Sequence, residues 1–316
     1  MFFSFLIPYF FILPLAYSAP SRKIHDRRDI SLDDLLDYVL DPPDPTNYQA
    51  PTFLTEAQGE QDHYSIFAAF SQAAYCVQSI QGLNCGEYCS SISDAQLVYS
   101  TGDSGETPDA YIAWSSSLNS IIVAHEGTNP ENLLSIMNDL EFGLVDPDSD
   151  LGISGKVHSG FQETWKRTID TFSQKVQDTL DEHSGASITT TGHSLGAAIA
   201  LLDGLYFQNK FSDVTVTTYL YGLPRVGDLN FANSADDKLG SNVHYVVHNE
   251  DPVPHLPPYV FGYSQIDSEI WLPSNNSIMS CPGIENQNCA DSVTSYNVTD
   301  HFGPYFGVML STLHCR

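Results

Sequence analysis

An α/β fold, a central and mainly parallel sheet with helices on both faces, is the class this chain predicts, and three observations predict it. β-branched and aromatic runs alternate with amphipathic stretches along most of the 316 residues, the pattern of strand-helix-strand units. The run Ser187-Ile-Thr-Thr-Thr enters Gly192-His193-Ser194-Leu195-Gly196, and Ala197-Ala-Ile-Ala-Leu-Leu follows: strand, sharp turn, helix. Aromatic residues make up 12% and charged residues only 16%, which describes a packed globule with a substantial core.

Taken in order, residues 1–18 carry no charge and are rich in Phe, ending Ala16-Tyr17-Ser18, which predicts a secretory signal peptide cleaved after Ser18. Pro8, Pro14 and the short run argue against a stable membrane span. Residues 19–28 end in Arg27-Arg28 and are expected to be a propeptide. One domain is expected over 29–316. Leu32, Leu35, Leu36 and Val39 predict a short helix over 31–40, stopped by Asp41-Pro42-Pro43. A second helix is expected over 62–76, burying Phe67, Phe70, Ala74 and Tyr75. Strands are predicted over 96–100, 110–115, 119–124, 188–191, 214–221, 243–248 and 265–272. One long amphipathic helix is expected over 157–181, and an apolar helix-like segment over 302–310.

Acidic residues outnumber basic ones 39 to 12, and without residues 1–28 the balance is 38 to 8. A field near −30 repels nucleic acid and anionic head groups, so neither is an expected partner. Six cysteines in an exported chain predict three disulfides. Proximity in sequence pairs Cys85 with Cys89 and Cys281 with Cys289, leaving Cys76 for Cys315. No C-x-x-C pair and no helix with H-x-x-x-H spacing accompanies them, so no metal and no cofactor is expected. Asn275 and Asn297 open candidate glycosylation sequons.

The glycine-flanked serine has the form of a nucleophile elbow, where bulky neighbours would strike adjacent backbone. Within the α/β class, the α/β-hydrolase fold is the one that carries such a serine. A serine hydroxyl needs a histidine to take its proton and a carboxylate to orient that imidazole, in the chain order Ser, acid, His. Asp251 follows the 243–248 strand and is the expected acid; Asp228 and Asp267 are runners-up, and Asp203, on the helix after the elbow, is expected to point elsewhere. His301 is preferred over His255, too near Asp251 in sequence, and His314, beside Cys315. The amides of Leu195 and Thr128 are the expected oxyanion hole, with the Thr128 hydroxyl as a third donor. Residues 129–138 read as a lid: Asn129 opens it, and Leu133, Leu134, Ile136 and Met137 share one helical face. His125, His158, His244 and His248 are expected to make structural hydrogen bonds.

Glu126-Gly-Thr, Val157-His-Ser-Gly-Phe, Thr191-Gly-His-Ser-Leu-Gly-Ala-Ala, Tyr221-Gly-Leu-Pro-Arg-Val-Gly, Asp251-Pro-Val-Pro-His-Leu-Pro-Pro and Asp300-His301 together resemble the fungal class 3 lipases over about residues 60–316. The resemblance implies an α/β-hydrolase fold and hydrolysis of tri-, di- or monoacylglycerols at a lipid surface, with the roles already given to Ser194, Asp251, His301, Thr128 and Leu195. It also agrees with the three cysteine pairings. Glu126 stands where the family often has arginine, Asp228 where asparagine is usual, and Pro130 stiffens the lid entry. A secreted, monomeric acylglycerol hydrolase is the expected protein. The alternatives are a feruloyl or other soluble-ester esterase and, remotely, a catalytically silent binding protein of the same fold.

Overall fold

The computed structural model describes residues 50–53, 58–77, 83, 85–103, 107–129, 143–275 and 277–315. In chain order the strands are β1 (Thr52–Phe53), β2 (Gln96–Thr101), β3 (Ala110–Ser115), β4 (Ser120–His125), β5 (Leu144–Val145), β6 (Val157–His158), β7 (Ser187–His193), β8 (Val216–Tyr221), β9 (Val243–His248), β10 (Glu269–Leu272) and β11 (Met279–Cys281). The helices are α1 (Gln58–Cys76), α2 (Ser159–Lys166), α3 (Ile169–Glu182), α4 (Leu195–Lys210) and α5 (Leu229–Leu239), joined by several 3-10 turns.

Nine strands form one sheet in the order β1-β11-β10-β9-β8-β7-β4-β3-β2, while β5 and β6 pair separately. From β4 through β7, β8 and β9 to β10 the pairing is parallel. The flanks are antiparallel, β4-β3-β2 on one side and β10-β11-β1 on the other. The sheet is therefore parallel at its centre and mixed at its edges. All six side chains of β4 are buried, as a central strand covered on both faces requires. Alternate side chains serve opposite faces: Ile121 and Val123 pack with Trp165, Phe172, Leu201 and Phe231 of α2–α5. Ile122 and Ala124 pack with Phe67, Phe70 and Tyr75 of α1. Helix α4 is buried from Gly196 to Phe207, because Ala-Ala-Ile-Ala-Leu-Leu leaves it no polar side.

Four sequence expectations need correction or extension. The expected helix over 157–181 is β6, α2 and α3. The His158 ring accepts the Phe161 amide and caps α2, and the Arg167 and Thr168 amides turn back to the Thr164 and Trp165 carbonyls, ending α2 in a tighter turn. The strand expected from residue 265 begins at Glu269, since the Gln265 amide group is spent on the Leu223 carbonyl and the Ile266 amide and Ser268 has φ 74°. No helix forms over 302–310; Gly303 has φ 99°, and Pro304 brings no amide to a helical ladder. Helix α1 buries more than the expected stripe, with Ala68, Ala69, Ser71, Gln72 and Ala73 also inside. The expected leader, propeptide and first short helix lie outside the described residues, as does the lid beyond Asn129.

The six cysteines form Cys76–Cys315, Cys85–Cys89 and Cys281–Cys289, the pairs proximity suggested. Cys76–Cys315 ties the end of α1 to the end of the described chain.

Candidate active site

Register delivers the serine to the end of the sheet. Gly192 lies opposite His125 of β4, and His193 opposite Tyr221 of β8. Ser194 follows at once, donating its amide to the Tyr221 carbonyl at 2.9 Å. Its φ of 57° and ψ of −127° are a left-handed conformation a serine adopts only when its surroundings impose it. Glycine is required on both sides: a Cβ on Gly192 would strike the Gly196 backbone, and one on Gly196 would strike the carbonyls of His125 and Glu126. Ser194 is buried and heads α4.

Asp251 and His301 reach that place from two loops laced together at the end of β9. The Asn297 amide donates to the Glu250 carbonyl at 2.9 Å. The Asn249 side-chain amide donates to Asp300 Oδ2 at 2.6 Å, and His248 Nδ1 donates to the Asp300 carbonyl at 2.9 Å. Held this way, His301 Nδ1 donates to Asp251 Oδ2 at 2.8 Å, both side chains fully buried. The other oxygen, Oδ1, accepts the Val253 amide at 2.8 Å. The Tyr305 hydroxyl reaches Asp251 Oδ2 at 3.2 Å and the His301 carbonyl at 3.1 Å. With its proton on Nδ1, the imidazole presents a bare Nε2, which is buried and has no hydrogen-bond partner among the described residues. Gly222 makes room for the ring, since a Cβ there would meet His301 Cε1 at 2.8 Å and Nδ1 at 2.9 Å.

Thr128 is buried, one residue beyond Gly127, whose missing Cβ leaves space filled by Tyr75 Oη, the His193 carbonyl and Ser194 Cβ. Leu195 is the first residue of α4, so its amide is among those a helix leaves without an internal acceptor. A buried relay joins these parts. Burial, reinforced by His301, holds His193 well below the usual imidazole range and neutral. Its Nε2 donates to the His301 carbonyl at 2.7 Å, so its Nδ1 accepts from the Tyr75 hydroxyl at 2.5 Å. The Gly127 backbone in turn hydrogen-bonds the Tyr75 oxygen. Tyr75, His193 and Tyr305 escaped sequence reasoning; the available signal was a tyrosine on the buried face of α1 next to a disulfide cysteine.

Other candidates settle elsewhere. Asp228 caps α5 and accepts the Phe231 and Lys156 amides, and Asp267 accepts the Gly283 amide. Asp203 is buried on α4 and bonds His125 and Trp165. His255 pairs with Asp291 at 2.9 Å, beside a bidentate pair of Arg225 with Glu285 at 2.7 and 2.6 Å. His314 lies next to the bonded Cys315. His158 caps α2, and burial holds its ring down at about 4. His244 lies 3.5 Å from the Tyr64 hydroxyl. Asn275 and Asn297 are both exposed. Glu269, Cys281 and Cys289 come within ligating distance of one another, but both sulfurs are committed to a disulfide, which removes the thiolates a metal would bind.

Residues 122–261 match the family model of class 3 lipases. A secreted mono- and diacylglycerol lipase of Malassezia globosa is 36% identical over 252 residues, covering 78% of this chain and 81% of its own. One of Malassezia restricta is 33% identical over 265 residues, covering 80% of each. Among solved structures, the lipase of Rhizopus microsporus var. chinensis superposes with a TM-score of 0.74 at 28% identity, over 87% of this chain and 95% of that one. With likeness of that extent to secreted lipases, the chain belongs to the class 3 lipase family and is a secreted carboxylic ester hydrolase of α/β-hydrolase fold.

Proposed function

We propose that the protein hydrolyses acylglycerol esters through Ser194, His301 and Asp251, with mono- and diacylglycerols as its substrates. The observation that carries the reading is the buried His301–Asp251 contact at 2.8 Å, its bare Nε2 in the same site as a serine held at φ 57°. Ser194 Oγ attacks the acyl carbonyl while His301 Nε2 takes its proton, and Asp251 stabilises the imidazolium. The amides of Leu195 and Thr128, with the Thr128 hydroxyl, hold the oxyanion. His301 returns the proton to the departing glyceride alcohol, and water, deprotonated by the same imidazole, releases the fatty acid. The preference for partial glycerides rests on the names of the Malassezia relatives.

The protein is read as a monomer working at a lipid–water interface. Val145, Tyr259 and Val260 are exposed, and the 259–262 turn borders β5 closely enough that a Cβ on Gly262 would touch Leu144 at 3.8 Å. With a formal charge of −27, that surface suits neutral glyceride rather than anionic lipid. The test is twofold: a serine-directed alkyl phosphonate should label Ser194 and abolish activity, and emulsions of mono-, di- and triolein should be cleaved fastest for the first two. Labelling elsewhere, or none, defeats the site; a triolein rate above that on diolein defeats the preference.

A further inference from the structure

A third histidine–carboxylate contact, fully buried, lies behind the oxyanion loop and takes no part in the proton transfers. His125 Nε2 and Asp203 Oδ2 are 2.7 Å apart, with side chains 2% and 0% exposed. The Trp165 indole N–H donates to the other oxygen, Oδ1, at 3.0 Å, and Phe172 of α3 packs on the His125 ring at 5.6 Å between centroids. Three polar groups thus meet inside an otherwise apolar cluster, where a carboxylate is costly to desolvate and an aliphatic side chain would fill the volume more cheaply.

The location gives the contact its use. His125 is the last residue of β4, and Glu126-Gly127-Thr128 follows it directly. Asp203 lies on α4, nine positions beyond the nucleophile. At the first turn of α4 the carbonyls of His125 and Glu126 already fill the space beside Gly196. Two turns further along, the His125–Asp203 contact grips the same helix again. A helix held at two points against one strand end can neither slide nor rotate relative to it, and the two oxyanion amides sit one on each body: Leu195 on α4, Thr128 beyond β4. We infer that His125 and Asp203, braced by Trp165, are a positioning pair that sets the spacing of the oxyanion-hole amides.

A displaced amide weakens tetrahedral species more than bound ester, and that separates positioning from mere stability. The inference rests on the proposed oxyanion hole, and phosphonate labelling of Ser194 checks the nucleophile independently in every variant. The triple variant His125→Phe/Asp203→Leu/Trp165→Phe removes all three polar groups together, the smaller ring at 165 offsetting part of the bulk added at 125 and 203, a type of exchange often neutral for stability. It should unfold near the parental temperature, with KM within about twofold and kcat about tenfold lower. Affinity for an alkyl boronate, which forms a tetrahedral adduct on Ser194, should fall by the same factor. Asp203→Asn is isosteric and still accepts from Trp165; it decides the matter if the triple variant fails to fold, and kcat and boronate affinity should drop together about threefold or more. Parental kcat and boronate affinity in the folded variant overturn the inference. So does a lower kcat with boronate affinity unchanged, which would put the defect outside the oxyanion hole.

Discussion

Two Asp–His pairs on the segments that follow β9 share almost the same geometry: His301 Nδ1 to Asp251 Oδ2 at 2.8 Å, and His255 Nδ1 to Asp291 Oδ1 at 2.9 Å. Both rings are buried, and in both the Nε2 has no hydrogen-bond partner among the described residues. Their surroundings differ. The His301 ring lies 4.4 Å from that of His193 in the elbow and takes the place a side chain on Gly222 would occupy. The His255 ring lies 5.0 Å from Tyr296, and its carbonyl accepts from Arg225. Contact with a carboxylate therefore orients an imidazole in either case; only His301 also packs against the strained serine turn.

The largest effect expected from this difference is on turnover. Asp251→Asn leaves the geometry but costs His301 its correct tautomer and its counter-charge, and kcat on diolein should fall about 10⁴-fold. Asp291→Asn should leave kcat within about twofold. Initial rates on the two purified variants make the comparison, and equal losses would erase the distinction between the pairs.

The second pair should matter for folding instead. Glu285→Ala leaves the Arg225 guanidinium buried without its partner, a loss of about 3–5 kcal/mol to be read from urea unfolding. Cys281–Cys289 closes the segment that carries Glu285, and Cys281→Ala/Cys289→Ala should cost about 2–3 kcal/mol through the entropy of that short loop. Burial would raise the Asp291 carboxyl, but His255 and then Arg225 outweigh it and hold the group at about 2. A depressed carboxylate adds stability that is full above its ordinary range near 3.8 and is lost as pH falls through about 2. Acid unfolding should be shallower over that window in Asp291→Asn.

The same contrast explains what could be read from the sequence. The elbow was legible because its demands are local: Gly192 and Gly196 are forced by atoms within a few ångströms, and β-branched and alanine-rich runs flank them. Asp251 and His301 followed from chain order. The break between α2 and α3 was not legible, since Arg167-Thr168 carries neither glycine nor proline, and carbonyl sharing at the end of α2 makes it. The misread helix over 302–310 shows the reverse error, an apolar run taken at face value despite Gly303-Pro304. Tyr75, His193 and the His125–Asp203 contact depend on partners 78 to 118 positions apart, which no local pattern records. Asp203 was expected to point away from the serine, but its burial against His125 and Trp165 was invisible.

The smallest effect distinguishes the two regions by pH. Near the oxyanion loop, burial pushes the Glu126 carboxyl up to about 8, with Asp109 adding repulsion and the Asp109 amide offsetting part of it. Around His255 the excess negative charge is balanced by Arg225. Among the described residues, the titratable groups interacting with Glu126 are Asp109 and Tyr75, and neither supplies a cation. A raised carboxylate favours the fold fully below its ordinary range near 4.5 and loses that contribution as pH rises through about 8. Ionisation also places a negative charge two residues from Thr128, where the transition state develops one of its own. Both effects have the same sign, so kcat should decline several-fold from pH 8 to 9.5 at a temperature where the protein stays folded. Glu126→Gln, neutral at every pH and still able to accept the Asp109 amide, should hold its rate across that range and match the parent below pH 7. An alkaline decline of equal depth in both proteins would move its origin away from Glu126 and leave the oxyanion loop insensitive to its neighbour's charge.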